Sequence, residues 1–397
     1  MADISVQPAD GAPVTIEDPP SSYLVEESKP DVQSPTNHEG VELEFSEHWL
    51  SLDKLPIREN LTLADFENVE FLADGGMSRV LSARMGGLEV VIKWIPPEQM
   101  FLQDCIKALH NEKRLLKQLR HPNIIKYLGC GKHENLPFLV LERLAGKDLL
   151  SALIEANKKK KRSRGFKVAL YGLLDNTYHP TSSASGIYIR LRWALEVAEA
   201  VRFCHTQALS GQVLIHRDLK GNNVGMGQDG RIRLLDFGIA KEVAAAHRDD
   251  LTHAFDLTKG MGTKLYCAPE IFGSAQYSEK VDVYSFGTLF WELLASQVPR
   301  QSLRDQMRAA LRGAACRGEQ ARPTPPPNPL WGPDIASVMH GCWEADAARR
   351  PDFGEVCRQL GALVRGFEQT GLPQFAPEEG GAAPVGSGAG GVPAPIT

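Results

Sequence analysis

Near the middle of the chain the apolar run Val213-Leu214-Ile215 opens directly into His216-Arg217-Asp218-Leu219-Lys220-Gly221-Asn222-Asn223. A histidine, two cations, a carboxylate and amides in one short loop are not a core pattern, because buried charge without a partner is expensive. The same residues can do chemistry. Asp218 can orient or deprotonate a hydroxyl, the lysine two residues on can neutralise a transferring phosphoryl group, and the asparagine five residues on can ligate a metal. A second polar turn, Asp236-Phe237-Gly238, follows the strand-like Ile232-Arg233-Leu234-Leu235 and supplies another oxygen ligand of the kind Mg2+ prefers.

The 397 residues allow about two or three folding units at roughly 100–200 residues each. Hydrophobic residues at 43% and charged residues at 23% are enough for a sizeable core. A formal net charge of -5 lacks the basic footprint of a nucleic-acid binder. No run of about 18 apolar residues suggests a membrane span. The first residues lack the basic start and apolar centre of a secretory signal. Seven cysteines are scattered without metal-ligand spacing: Cys105, Cys130, Cys204, Cys267, Cys316, Cys342 and Cys357. Free thiols in a reducing, cytoplasmic compartment are the expectation.

Residues 1–60 are rich in Pro, Ser, Asp and Glu, and Lys29 is the only lysine or arginine before Lys54. Such a segment buries too little apolar surface to offset its ordering entropy, so a disordered acidic tail is expected, with at most a local helix around 45–52. Residues 373–397, Gly, Ala and Pro in low complexity, read as a second disordered tail. Folded structure is expected between about Phe66 and Phe367. It opens with strands at 66–72, 79–84 and 88–95, punctuated by Asp74-Gly75-Gly76 and Gly86-Gly87. A helix follows with Ile106, Leu109, Glu112, Leu116 and Leu119 on one face, then strands at 124–129 and 138–141. Leu191, Leu195, Ala198 and Val201 make a later helical stripe, and residues 281–294 are apolar on most faces, as in a buried helix. The expected class is α+β: a small β-rich lobe over about 66–142 and a larger helical lobe over about 143–367.

Two features of the β-rich part complete a pattern. Leu72-Ala73-Asp74-Gly75-Gly76-Met77-Ser78-Arg79-Val80 is a turn whose backbone N–H groups could lie over phosphates. Val90-Val91-Ile92-Lys93 sets a lysine on an apolar strand, where it needs a partner, and Glu112 on the helix stripe is the candidate. Taken in order, the glycine turn, strand lysine, helix glutamate, the 216–223 loop and Asp236-Phe237-Gly238 resemble the eukaryotic protein kinase family. Ala268-Pro269-Glu270, Asp282-Val283-Tyr284-Ser285-Phe286-Gly287 and Arg350-Pro351 extend the resemblance, which covers roughly residues 66–367.

The resemblance implies a bilobal kinase fold, ATP and Mg2+ as cofactors, and protein substrates. Lys93 would hold the α- and β-phosphates and pair with Glu112. Residues Leu72 to Val80 would cover the phosphates, and the backbone of Glu142 and Leu144, after a gatekeeper at Leu141, would receive adenine. Asp218 would accept the substrate hydroxyl's proton, Lys220 would contact the γ-phosphate, and Asn223 and Asp236 would hold Mg2+. Glu270 would pair with Arg350, and Asp282 would anchor the 216–223 loop.

Some positions depart from the family pattern. Ala73 and Ser78 stand where glycines are usual, and Val91 replaces a small alanine over the adenine. Added side chains narrow the allowed backbone, so a loop held further from the phosphates is expected. Lys220 and Thr263 resemble serine/threonine kinases, while residues 282–287 and Cys342-Trp343-Glu344-Ala345-Asp346 resemble the tyrosine-kinase-like group that includes the mixed-lineage kinases. Serine/threonine transfer is the implied activity; a dual-specificity enzyme, a kinase-fold enzyme acting on small molecules and a pseudokinase scaffold are the alternatives. The activation segment would run from Asp236 to Glu270 with Thr252, Thr258, Thr263 and Tyr266. Arg217 would be ready to meet a phosphate there, with Thr258 the favoured site. An insert at about 157–186 carries Lys158-Lys159-Lys160-Lys161-Arg162-Ser163-Arg164, read as a solvated loop, with a nuclear signal or an acidic-partner site, the N-terminal tail included, as its alternatives. Residues 322–327, rich in proline, read as a structural loop.

Overall fold

The computed structural model describes residues 46–75, 78–99, 102–146, 184–247, 254–273, 276–295 and 332–369. Residues 1–45, Gly76, Met77, the basic insert up to residue 183, Thr252, Cys316, the proline-rich 322–327 stretch and the 373–397 tail lie outside the described residues.

Alternation along the sequence builds the first lobe. In strand β4 (Leu88–Trp94), Val90, Ile92 and Trp94 are buried while Val91 and Lys93 face the opposite side. The sheet has six strands in the order β1-β5-β6-β4-β3-β2. The others are β1 (Arg58–Leu61), β2 (Glu67–Asp74), β3 (Arg79–Met85), β5 (Tyr127–His133) and β6 (Leu136–Glu142). One face carries its own core, built on Leu61, Phe66, Val90, Ile92, Trp94, Phe138 and Val140. Leu139 and Leu141 face the other way and join the main core. Helix α2 (Leu102–Leu116) buries Cys105, Leu109, Glu112, Leu115 and Leu116, the three-and-four spacing of an amphipathic helix.

The second lobe is helical. Helix α3 (Ala184–Thr206) buries Leu191, Ala198 and Val201 from the expected stripe. Helix α4 (Lys280–Ala295) is buried at every position from Val281 onward, as its apolar circumference requires. Helices α5 (Pro333–Cys342) and α6 (Phe353–Gln369) follow, and a single helical turn spans Glu270–Gly273. Three antiparallel pairs carry the loops: β7 (Gln212–Ile215) with β10 (Lys241–Ala244), β8 (Val224–Met226) with β9 (Ile232–Leu234), and β11 (Phe255–Asp256) with β12 (Gln276–Tyr277). The α+β, two-lobed class read from the sequence is the one observed. Among the described residues, no helix is long and apolar enough to cross a membrane.

The N-terminal boundary needs correction. Within residues 1–60, read above as a disordered tail, the local helix expected around 45–52 is present as α1 (Glu47–Asp53), and most of strand β1 follows it, which was not expected. The polar average of the segment hides a few strong anchors: Trp49 is 2% exposed, Leu52 3% and Leu61 7%. Strand β1 runs parallel to β5, with Arg58 opposite Gly129 and Leu61 opposite Gly131. These two glycines are required, since a methyl on either would overlap the backbone of Arg58 or Leu61.

Candidate active site

The cleft-facing side of the sheet delivers Lys93. Its Nζ lies 2.6 Å from Glu112 Oε2 on α2 and 3.1 Å from Asp236 Oδ1 just after β9. The spacing reading of Glu112 as the lysine's partner therefore holds. Burial pulls Lys93 down, but the Glu112 and Asp236 carboxylates outweigh it and hold the ammonium above its ordinary range. Burial likewise pushes Asp236 up, and the Lys93 ammonium more than reverses this, so its carboxyl lies below its ordinary value. Asp236 sits at φ 62°. Behind it, Asn111 Nδ2 faces the carbonyls of Phe237, Gly238 and Ala240 at 3.3, 3.1 and 2.8 Å, pinning the Asp236-Phe237-Gly238 turn to the helix that holds Glu112.

The 216–223 loop emerges from the buried strand β7. Asp282, near the start of α4, accepts hydrogen bonds from the backbone N–H of His216 and of Arg217, each at 2.8 Å, and lies 2.9 Å from His205 Nε2. These contacts hold Arg217 at φ 66°, an uncommon conformation for a non-glycine residue. Burial raises the Asp282 carboxyl, and His205 with the loop N–H groups brings it below its ordinary value. The His216 ring packs edge-on against Phe237 at 4.8 Å, and its Nε2 lies 3.0 Å from the Leu235 carbonyl.

Asp218 is encircled by donors. Thr263 N–H and Oγ1 donate to Oδ1 at 3.0 and 2.7 Å, and Lys220 Nζ and Asn223 Nδ2 donate to Oδ2 at 2.6 and 3.1 Å. Lys220 Nζ also donates to Thr263 Oγ1 at 3.0 Å. Asn223 spends its Nδ2 on Asp218, including the backbone carbonyl at 2.9 Å, which leaves its amide oxygen as a ligand atom. Asn223 and Asp236 offer two oxygen ligands, which fits a small hard cation that completes its shell with waters and phosphate oxygens. Among the described residues no three His, Cys, Asp or Glu side chains form a cage of their own.

The glycine turn is described in part. Gly75 N–H donates to the Ser78 carbonyl at 2.7 Å, Ser78 is buried, and Arg79 lies 3.3 Å from both Asp74 and Glu98. Leu72, Ala73 and Asp74 end β2, and Arg79 and Val80 begin β3. Val91 and Leu141 stand opposite each other on the Lys93 face, beside Glu142 at the end of β6. Leu144 is half-buried against the main core.

Residues 66–360 match the protein kinase domain family. The chain belongs to that family. Arabidopsis thaliana serine/threonine-protein kinase VIK is 27% identical over 307 residues, 75% of this chain and 59% of the relative. Human mitogen-activated protein kinase kinase kinase 11 is 30% identical over 306 residues, 74% of this chain and 31% of the relative. Dictyostelium discoideum dual specificity protein kinase splA is 27% identical over 342 residues, 81% of this chain and 12% of the relative. The chain thus spans less than two thirds of the length of each.

Other features of this kinase chain follow from the geometry. Arg350 NH1 and NH2 meet Glu270 Oε1 and Oε2 at 2.5 and 3.0 Å, so the ion pair implied by the resemblance is present and is two-pronged. Arg217, by contrast, directs Nε and NH2 to the Ile239 carbonyl and NH1 to Tyr277 Oη at 3.4 Å. Tyr277 in turn donates to the Thr258 carbonyl at 2.7 Å. Sequence reading missed Asn111 and Tyr277, which hold backbone carbonyls, and His205, which bonds the Asp282 carboxylate; no local pattern marks any of them. It also missed the buried side chain of Glu142, which bonds Arg233 Nε at 2.9 Å, although an acid ending the apolar run Phe138–Leu141 was a visible cue.

Proposed function

We propose that the chain transfers the γ-phosphoryl group of ATP to serine and threonine hydroxyls of protein substrates. The observation that carries this reading is the cluster of Asp218, Lys220, Asn223 and Thr263, in which one carboxylate is held by four donors, one of them the Lys220 cation. Donors that already point at the carboxylate fix its orientation, so an approaching hydroxyl meets a positioned base. Asp218 orients the incoming hydroxyl and accepts its proton. Lys220 places positive charge where the transferred group gains negative charge. Lys93, kept charged by Glu112 and Asp236, binds the nucleotide phosphates. Asn223 and Asp236 would hold Mg2+, which supplies charge neutralisation to the phosphates. The hinge backbone at Glu142 and Leu144 would receive adenine, with residues 72–80 over the phosphates. The cysteines Cys130, Cys204, Cys267, Cys342 and Cys357, none of them in a disulfide, support a reducing, cytoplasmic setting.

The exposed Thr258 is the proposed regulatory phosphosite, supported by the short route from its backbone through Tyr277 to Arg217. A Thr258→Ala chain as active as the parent after isolation from cells would exclude it. The central test compares the parent with Asp218→Asn in Mg·ATP-dependent transfer to a generic basic protein. Phosphoserine or phosphothreonine formed by the parent alone is expected. Equal transfer by both chains, or phosphotyrosine as the sole product, would refute the assignment.

A further inference from the structure

The segment ahead of residue 66 lies outside the part that matches the kinase family, yet it is tied into the hinge. Ser46 caps α1: its Oγ accepts from Trp49 N–H at 3.2 Å and donates to Asp229 Oδ2. Asp229 sits in the turn between β8 and β9, in the helical lobe. Its Oδ2 also accepts from Arg233 NH2 at 2.9 Å, and Arg233 Nε donates to Glu142 Oε1 at 2.9 Å. The same Glu142 oxygen accepts the Lys126 N–H at 2.9 Å, just ahead of β5 in the β-rich lobe. At the far end of α1, Asp53 pairs with both Lys126 and Arg120 of that lobe, and Lys126 Nζ lies 5.3 Å over the Trp49 ring.

One short helix is therefore hydrogen-bonded to the helical lobe at its start and ion-paired to the β-rich lobe at its end. The two ends meet again through Glu142, where the chain crosses between lobes. Three carboxylates (Asp53, Glu142, Asp229) face three cations (Arg120, Lys126, Arg233). The side chains of Glu142 and Arg233 are 1% and 0% exposed, and those of Asp229 and Asp53 are 5% and 8%. Buried ion pairs add little net stability but penalise any arrangement that separates them. A network of this kind resists a change in hinge geometry. The hinge backbone is held alongside it, with Glu142 N–H donating to the Lys126 carbonyl at 3.0 Å and Ala145 N–H to the Met226 carbonyl at 2.8 Å.

We propose that α1 is a strap that sets the relation of the two lobes at the hinge, with Ser46, Asp53 and Asp229 acting as positioning residues for the nucleotide. The nucleotide consequence rests on the kinase reading above; the strap itself does not. The test uses the full chain with Asp53→Asn and, separately, Ser46→Ala, which removes a single hydroxyl and keeps the fold. Two quantities are read: native-state hydrogen exchange at the Glu142 and Ala145 amides, and KM for ATP against kcat. Exchange is expected to quicken about tenfold, equivalent to about 1.4 kcal/mol. KM for ATP is expected to rise severalfold while KM for the protein substrate stays constant, a split that mere loss of folded protein would not produce. Exchange within twofold of the parent in both variants would overturn the strap. Faster exchange with an unchanged KM for ATP would overturn the positioning role. A parent without phosphoryl transfer would count against the kinase reading, while exchange would still decide the strap.

Discussion

Replacing Asp282 by Asn tests how the reactive loop is held. The Asp282 carboxylate is fully buried and serves three groups: the N–H of His216 and of Arg217 at 2.8 Å each, and His205 at 2.9 Å. An amide of the same shape offers one oxygen, and its NH2 must face at least one of the backbone donors. One charge-assisted bond is lost, about 1.5–3 kcal/mol, and one buried donor is orphaned, a further 1–3 kcal/mol. The expected total is about 3–5 kcal/mol, a large part of the ~5–15 kcal/mol that holds a typical domain together. Arg217, at φ 66°, is the first residue to relax, and Asp218 follows it. Chemical denaturation of both chains reads the stability, and steady-state kinetics reads the loop. We expect kcat to fall at least tenfold while KM for ATP stays within twofold, because Lys93, Glu112 and Asp236 are held elsewhere. The acid side offers a second check. The Asp282 carboxyl lies below 3.8 when folded, so its contribution is complete above that value and is lost as pH falls through the lower folded one. The variant should lose this part of the acid dependence. A variant with the parent's stability and kcat would refute the anchoring role.

Other consequences are equally concrete. Gly129→Ala places a methyl against the Arg58 carbonyl and should detach β1; exposing Leu61 alone is worth about 1.5–3 kcal/mol, read as faster hydrogen exchange across residues 127–133. Unchanged exchange would show that β1 does not need this close approach. Asn111→Leu takes the side-chain donor from three carbonyls behind Asp236, of which that of Phe237 keeps the Ala240 N–H, so kcat should fall and the Mg2+ concentration for half-maximal rate should rise; an unchanged Mg2+ dependence would refute the link. Glu270→Gln leaves the buried Arg350 guanidinium one neutral amide oxygen in place of the carboxylate, beside the carbonyls of Glu344, Lys280 and Ala345. Breaking a buried pair costs about 3–5 kcal/mol, and partial exposure of Glu270 lowers the expectation to about 2–3 kcal/mol by denaturant titration. A loss under about 0.5 kcal/mol would mean the carbonyls alone satisfy the arginine.

Much of the site was legible in the sequence because its chemistry is local. Asp218, Lys220 and Asn223 share one loop, and Lys93 and Glu112 stand out as charges on apolar elements. The lobes were legible for a related reason: period-two runs such as residues 88–94 and the mostly apolar Val281–Leu294 leave little choice of element. What stayed hidden depends on contacts between distant segments. Nothing near Asn111 announces three carbonyls from residues 237–240. The polar composition of residues 46–61 argued for disorder, and was outweighed by Trp49, Leu52 and Leu61 finding pockets made by residues far along the chain. The same limit applies to Asp229, an ordinary turn residue until Ser46 and Arg233 are placed beside it.

Strand β1 has a further effect on how molecules of this protein meet one another. In the order β1-β5-β6-β4-β3-β2, it covers the side of β5 that would otherwise end the sheet. An uncovered strand presents a row of unpaired N–H and C=O groups that can recruit a strand from another chain. Gly129 and Gly131 make β5 especially open to such an approach, since no side chain stands in the way. A chain that began at Phe66 would retain every group of the proposed reaction and yet carry a bare edge. Its solubility, seen by light scattering as a function of concentration, would fall even with its catalytic residues all present, alongside the hinge loosening expected from losing α1.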